Sequence, residues 1–145
     1  MTSLLQLQGM ARVAAEAHGL DPALVLSVCH HESENWKPFA CRYEPQFYHR
    51  YISSMTGLSD TEMTLRATSF GLMQVMGQTA REFGFSGDFL TELLDPVTGL
   101  EFGCRKLARC LDQEKGDVRK ALLRYNGGAD KSYPDHVLQH LDKYK

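Results

Sequence analysis

The segment Ala23-Leu24-Val25-Leu26-Ser27-Val28-Cys29 has almost no polar face. Asp21-Pro22 stands directly before it, an N-cap followed by proline in the first turn, so the segment reads as the start of a helix. A helix that is apolar nearly all round must be surrounded by other elements, so this one should be the central and most buried. The string His30-His31-Glu32-Ser33 follows, and the helix is expected to run out near Glu32 or Ser33. Glu32 therefore stands where the most buried segment breaks into polar residues. A carboxylate there is costly to desolvate as an anion and tends to keep its proton. A protonated carboxyl near neutral pH is a general acid.

The remaining pattern is helical almost throughout. Leu4, Leu7, Met10, Val13, Ala14 and Ala17 have helical spacing, giving an N-terminal helix within residues 1–20 that stops at His18-Gly19. Pro38 and Pro45 punctuate the next stretch, and a short aromatic helix is expected after Pro45 (Phe47, Tyr48, Tyr51, Ile52). Ser59-x-x-Glu62 has the form of a capping box. Ser69 to Met76 reads as a helix containing Gly71, and Thr79 to Phe83 as a short turn. Asp95-Pro96 repeats the cap-plus-proline signal ahead of a stripe of Val97, Leu100, Cys104, Leu107, Ala108 and Leu111. Asp117 caps a helix ending at Tyr125, which Asn126-Gly127-Gly128 stops, and Tyr133-Pro134 opens the last. No strand and no repeat stands out. The expected fold is all-α: one domain, 1–145, of many short helices around one hydrophobic helix.

Net charge is −2 and there is no basic run, which argues against nucleic acid. No apolar stretch reaches the length of a membrane span. The first residues lack the basic region, apolar core and cleavage site of a signal peptide. Cytoplasmic synthesis with retention, another export route, and a removed leader all stay open. Cys29, Cys41, Cys104 and Cys110 show no metal-ligand spacing and read as small hydrophobes. Cys104 and Cys110, six apart on a helix, should lie on different faces, and a Cys29–Cys41 bridge stays open.

Three constellations can carry chemistry. His31-Glu32 resembles the start of the zinc-binding pattern H-E-x-x-H, but Asn35 stands where the second histidine must be, so no metal site is expected. In Ser69-Phe70-Gly71-Leu72-Met73-Gln74-Val75-Met76, a glycine inside a helix costs about 1 kcal/mol relative to alanine. Close approach of a backbone or ligand would offset that cost. Gln74, three residues on, would share its face and offer a free amide. Tyr125-Asn126-Gly127-Gly128 reads as a helix C-cap, or as a pair of side chains projecting into a cleft.

Glu32-Ser33, then Gly71-Leu72-Met73-Gln74-Val75-Met76, then Tyr125-Asn126-Gly127-Gly128 resemble, in this order, the motifs of lytic transglycosylases of the soluble (SLT) type, relatives of goose-type lysozyme. Asp95-Pro96 and the following helix with Gly99 and Gly103 also fit that family. The resemblance spans about Asp21 to Val137. It implies a lysozyme-like fold with a cleft for peptidoglycan glycan strands, no cofactor, and a monomer. It implies Glu32 as sole acid/base, Ser33 supporting it, and Ser69, Gly71, Met73, Gln74, Tyr125 and Asn126 around the saccharide. Activity at the cell wall, in a phage lysis or virion setting, fits the small size.

The sequence departs from the family in three places. Residues 40–68 form a longer insert, with Arg42-Tyr43-Glu44-Pro45 and an aromatic cluster expected to line the cleft. The usual proline after the Gln-x-Met segment is Gly77. The Trp36-x-Pro38 spacing after Glu32 is one residue longer than typical. Glu44 has two readings: an ion pair with Arg42 or Arg50, or a second carboxylate for a hydrolytic, muramidase-like reaction. A non-catalytic wall-binding protein of the same fold is the alternative from another class.

Overall fold

The computed structural model describes residues 1–145. Ser3 caps α1 (Leu4–Ala17) by accepting from Gln6 N, and the Gln6 side chain returns the bond to Ser3 N. Leu7, Ala11 and Ala15 form its buried face, whereas Leu4 and Val13 are exposed. The inward stripe is thus turned from the one expected, because small alanines let α1 sit close against its neighbours. Asp21 caps α2 (Pro22–Glu32), and every residue from Ala23 to Cys29 is buried. α1 and two C-terminal helices, α8 (Tyr133–Leu138) and α9 (Leu141–Tyr144), pack around it.

α2 stops through its own polar residues. The Ser33 hydroxyl donates to Cys29 O and accepts from Trp36 N. Glu34, Asn35 and Trp36 then take left-handed φ of 51°, 66° and 68°. Each such non-glycine residue costs about 1 kcal/mol. Burial of the Trp36 ring, and its Nε1 bond to Tyr144 Oη at 2.8 Å, offset that.

A small sheet follows, and here the structure corrects the expectation. β1 (Cys41–Tyr43), β2 (Thr68–Phe70) and β3 (Val75–Met76) form an antiparallel sheet in that order, with Arg42 opposite Ser69 and Ser69 opposite Met76. Ser69 to Met76 is therefore a hairpin and not a helix. Gly71 turns the chain with φ of 78°, and a Cβ there would stand 3.0 Å from Leu93 O. The glycine serves a turn and a close backbone approach, not a helix face.

Between β1 and β2 run α3 (Pro45–Phe47), a π-helical turn (Tyr48–Ile52) and α4 (Asp60–Arg66). Ser59 caps α4, but Glu62 does not close the box. Its carboxylate instead takes Arg66 at 2.9 Å and Arg81 at 2.7 Å. α5 (Gly77–Glu82) leads through a 3₁₀ turn (Leu90–Leu94) to α6 (Pro96–Gln113), then α7 (Val118–Tyr125), α8 (Tyr133–Leu138) and α9 (Leu141–Tyr144). The molecule is mostly helical, as an all-α lysozyme-like domain should be.

Two apolar clusters hold it. The larger has 30 buried residues and centres on α2 and α6. The smaller is Ile52, Met63 and Ala67, with Phe47, Tyr48, Met55 and Leu58 against it, and lies within the insert. All four cysteines are free, so Cys29 and Cys41 are not bridged. Cys104 and Cys110 are both buried, since α6 is covered by α1 on one side and α7 on another. No helix is long and apolar enough to cross a membrane.

Candidate active site

A cleft of about 580 Å³ opens between the insert and the larger cluster. Glu32, from the last turn of α2, lies in its floor together with Lys106 of α6, Tyr125 of α7 and Asn126, which ends α7. Ser69, Gln74 and Met76 of the sheet line it, and Arg42, Glu44, Gln46, Phe47, Arg50 and Tyr51 of the insert form the facing wall.

The Glu32 carboxyl has one hydrogen-bond partner, Tyr133 Oη, which donates to it at 2.7 Å. Burial pushes its pKa above the ordinary carboxylate range. The Tyr133 hydroxyl, Lys106 and Arg42 pull the other way without cancelling that rise. The group is thus a desolvated acid with one neutral donor at its side. Nothing in the sequence near Tyr133 announces this contact. The residue reaches Glu32 only because α8 folds back onto α2.

Histidines fasten that return. His30 and His140 stack at 3.8 Å, and His30 Nδ1 shares a 2.6 Å hydrogen bond with Tyr144 Oη. His31 lies edge-on to Tyr133. Burial and neighbouring positive charge hold His30, His31 and His140 below the usual histidine range, so these contacts join neutral rings.

Of the residues singled out in the sequence, Glu32, Glu44, Ser69, Gln74, Tyr125 and Asn126 meet in the cleft. Ser33, Gly71 and Met73 lie behind its surface. Ser33 is buried and fixes the stop of α2. Gly71 turns the hairpin. Met73 is buried against α6, where a Cβ on Gly103 would meet its sulfur at 2.4 Å.

Gln74 has no free amide. Its Oε1 accepts from Ser69 Oγ at 2.9 Å, and its Nε2 donates to Ala40 O and Gly71 O. It pins the hairpin to the chain before β1, and its φ of 50° shows how tight that turn is. Tyr125 is likewise engaged, its hydroxyl donating to Met73 O at 2.7 Å. Asn126 is exposed at the end of α7. Glu44 pairs with neither expected arginine. Arg42 joins Glu34 at 3.2 Å, and the Arg50 guanidinium lies over the Tyr51 ring. Glu44 therefore faces the cleft as an exposed carboxylate.

Sequence reasoning missed Lys106 and Tyr133. Both sit on helices whose patterns mark them only as polar or aromatic positions. Residues 9–134 of the chain match the family model described as the transglycosylase SLT domain.

Proposed function

The chain belongs to the transglycosylase SLT domain family, and from that premise we propose that it cleaves peptidoglycan between N-acetylmuramic acid and N-acetylglucosamine with Glu32 as sole proton donor and acceptor. The observation that carries this reading is one desolvated carboxyl in the floor of an open cleft. Protonated Glu32 gives its proton to the oxygen linking the two sugars, and the C1–O bond of the muramic residue breaks. The substrate's own N-acetyl group stabilises the oxocarbenium-like centre. The Glu32 carboxylate then takes the proton of the C6 hydroxyl of the same residue, whose oxygen bonds to C1. The product is a 1,6-anhydro end, and Glu32 ends protonated as it began. A group that serves both steps needs a pKa near the working pH, and burial moves Glu32 in that direction.

The test is mass spectrometry of muropeptides released from purified sacculi. Anhydro ends are expected, whereas reducing ends would show water as the acceptor. That second reading has one observation in its favour, the unpaired Glu44 on the facing wall. Glu44→Gln is therefore expected to keep near-normal release with anhydro ends. A loss as deep as that of a Glu32 variant would move the assignment to hydrolysis.

Tyr133→Phe checks the environment of the acid. It removes the one donor to the carboxylate form, so the pKa of Glu32 rises further. A hydrogen bond to a charged group contributes about 1.5–3 kcal/mol, so turnover should fall roughly tenfold or more. The alkaline limb of the pH profile should move upward. An unmoved limb would mean that this bond does not persist with substrate bound.

A further inference from the structure

Lys106 lines the same cleft as Glu32 but takes no part in the two proton transfers. It projects from the middle of α6 as a half-buried residue, and burial disfavours the charge of its ammonium. The ammonium donates to Tyr125 O at 2.9 Å and lies 4.1 Å from the centre of the Tyr125 ring. It takes part in none of the molecule's ion pairs. A desolvated ammonium with no carboxylate against it is costly, and burial holds its pKa below the usual lysine range. Helix α6 is polar on other faces, where a lysine would be solvated at no cost. This one is instead held inside the cleft.

We propose that Lys106 is the counter-charge of Glu32, a positioning residue that stabilises the Glu32 carboxylate between its two proton transfers. The inference rests on the acid/base role proposed above. When Glu32 gives up its proton, an anion appears in a site that burial makes hostile to anions. Tyr133 offers it one hydrogen bond. A fixed positive charge in the same low-dielectric floor adds attraction that needs no rearrangement at that moment. The Tyr125 carbonyl and ring keep the ammonium from swinging toward solvent. Because the two groups do not form an ion pair, Lys106 does not strip the proton from the resting acid. Contact at ion-pair distance would lower the acid too far to protonate a leaving oxygen.

The other titratable groups around this part of the fold do not serve this purpose. Arg42 of β1 is exposed and paired with Glu34, so its field is screened. Tyr125 of α7 has its hydroxyl on Met73 O. Cys29 of α2 and Cys104 of α6 are buried thiols whose pKa is pushed up, to about 12 for Cys104, so both are neutral. His31 of α2 is held below the usual histidine range.

The test compares wild type, Lys106→Gln and Lys106→Arg as full chains. Glutamine keeps a donor for Tyr125 O without the charge, and arginine keeps the charge. Lys106→Met serves the same comparison if the glutamine variant does not fold. The first readout is the titration of Glu32, followed by NMR in protein labelled at the glutamate carboxyl carbon and assigned with Glu32→Gln. Without the charge Glu32 should titrate about one pH unit higher, and arginine should return it. The second readout is the pH profile of muropeptide release. Its alkaline limb should move up with the titration, and kcat should fall about tenfold with KM little changed. Superimposed Glu32 titrations in wild type and Lys106→Gln would overturn the proposal and leave Lys106 a structural support of the α7 terminus. The NMR result stands whether or not sacculi are cleaved, so it separates this inference from the proposed reaction.

Discussion

Glu32→Gln is expected to abolish release of muropeptides while leaving the protein as stable as wild type, or more so. General acid or base catalysis contributes about 10²–10⁴-fold. Here one residue is assigned both roles, so the loss should lie at the upper end. The amide cannot give or take the proton, yet its oxygen can still accept from Tyr133 Oη. The stability half follows from the raised pKa of Glu32. The folded protein holds this proton more tightly than the unfolded chain does. Wild type therefore loses stability as pH rises from the ordinary glutamate value of 4.5 through the higher folded value. Glutamine has no such loss. The melting curves should be closest in acid, and the variant should gain on wild type toward neutral pH. Clearing of sacculi at the wild-type rate by Glu32→Gln would remove Glu32 from the reaction.

Gly77→Ala should give the largest loss of stability from adding a single methyl group. A Cβ at Gly77 would stand 2.2 Å from Leu65 O and 3.0 Å from Arg66 Cα, both backbone atoms of α4. Neither helix can step aside easily. Glu62 of α4 is bound to Arg66 and to Arg81 of α5, and Arg81 also donates to Phe85 O and Gly87 O. Overpacking of this kind costs about 3 kcal/mol. In a protein of this size that lowers the melting temperature by roughly 6–12 °C. Thermal unfolding followed by circular dichroism measures it. Melting together with wild type would show that α4 yields freely. The same atoms bear on a departure noted in the sequence, where the family resemblance leads one to expect proline and this chain has Gly77. Proline has a Cβ too, and here α4 occupies its place.

What the sequence revealed was what local chemistry controls. The starts of α2, α6 and α7 were visible because Asp21, Asp95 and Asp117 each hydrogen-bond a nearby backbone N–H. The centrality of α2 was visible because a helix with no polar side has nowhere else to go. The hairpin was not visible. A short apolar run such as Phe70-Gly71-Leu72-Met73 suits a helix or a strand equally, and the choice is made by β1, far back in the chain. Reading Gly71 as helical then gave Gln74 a free amide that the turn in fact engages. The raised pKa of Glu32 was legible because its cause, the apolar segment before it, is its immediate neighbour. Tyr133 and Lys106 were not, because only the folding of α8 back onto α2, and the cleft that α6 shares with it, bring them near Glu32.

The cleft has a floor anchored in a cluster of 30 buried side chains and a wall anchored in three. The free energy of local opening follows such apolar burial. The wall therefore has fewer buried apolar side chains holding it than the floor has, and the Glu62–Arg81 pair ties its α4 to α5. Unequal anchoring puts the acid on the side of the cleft whose local opening costs more.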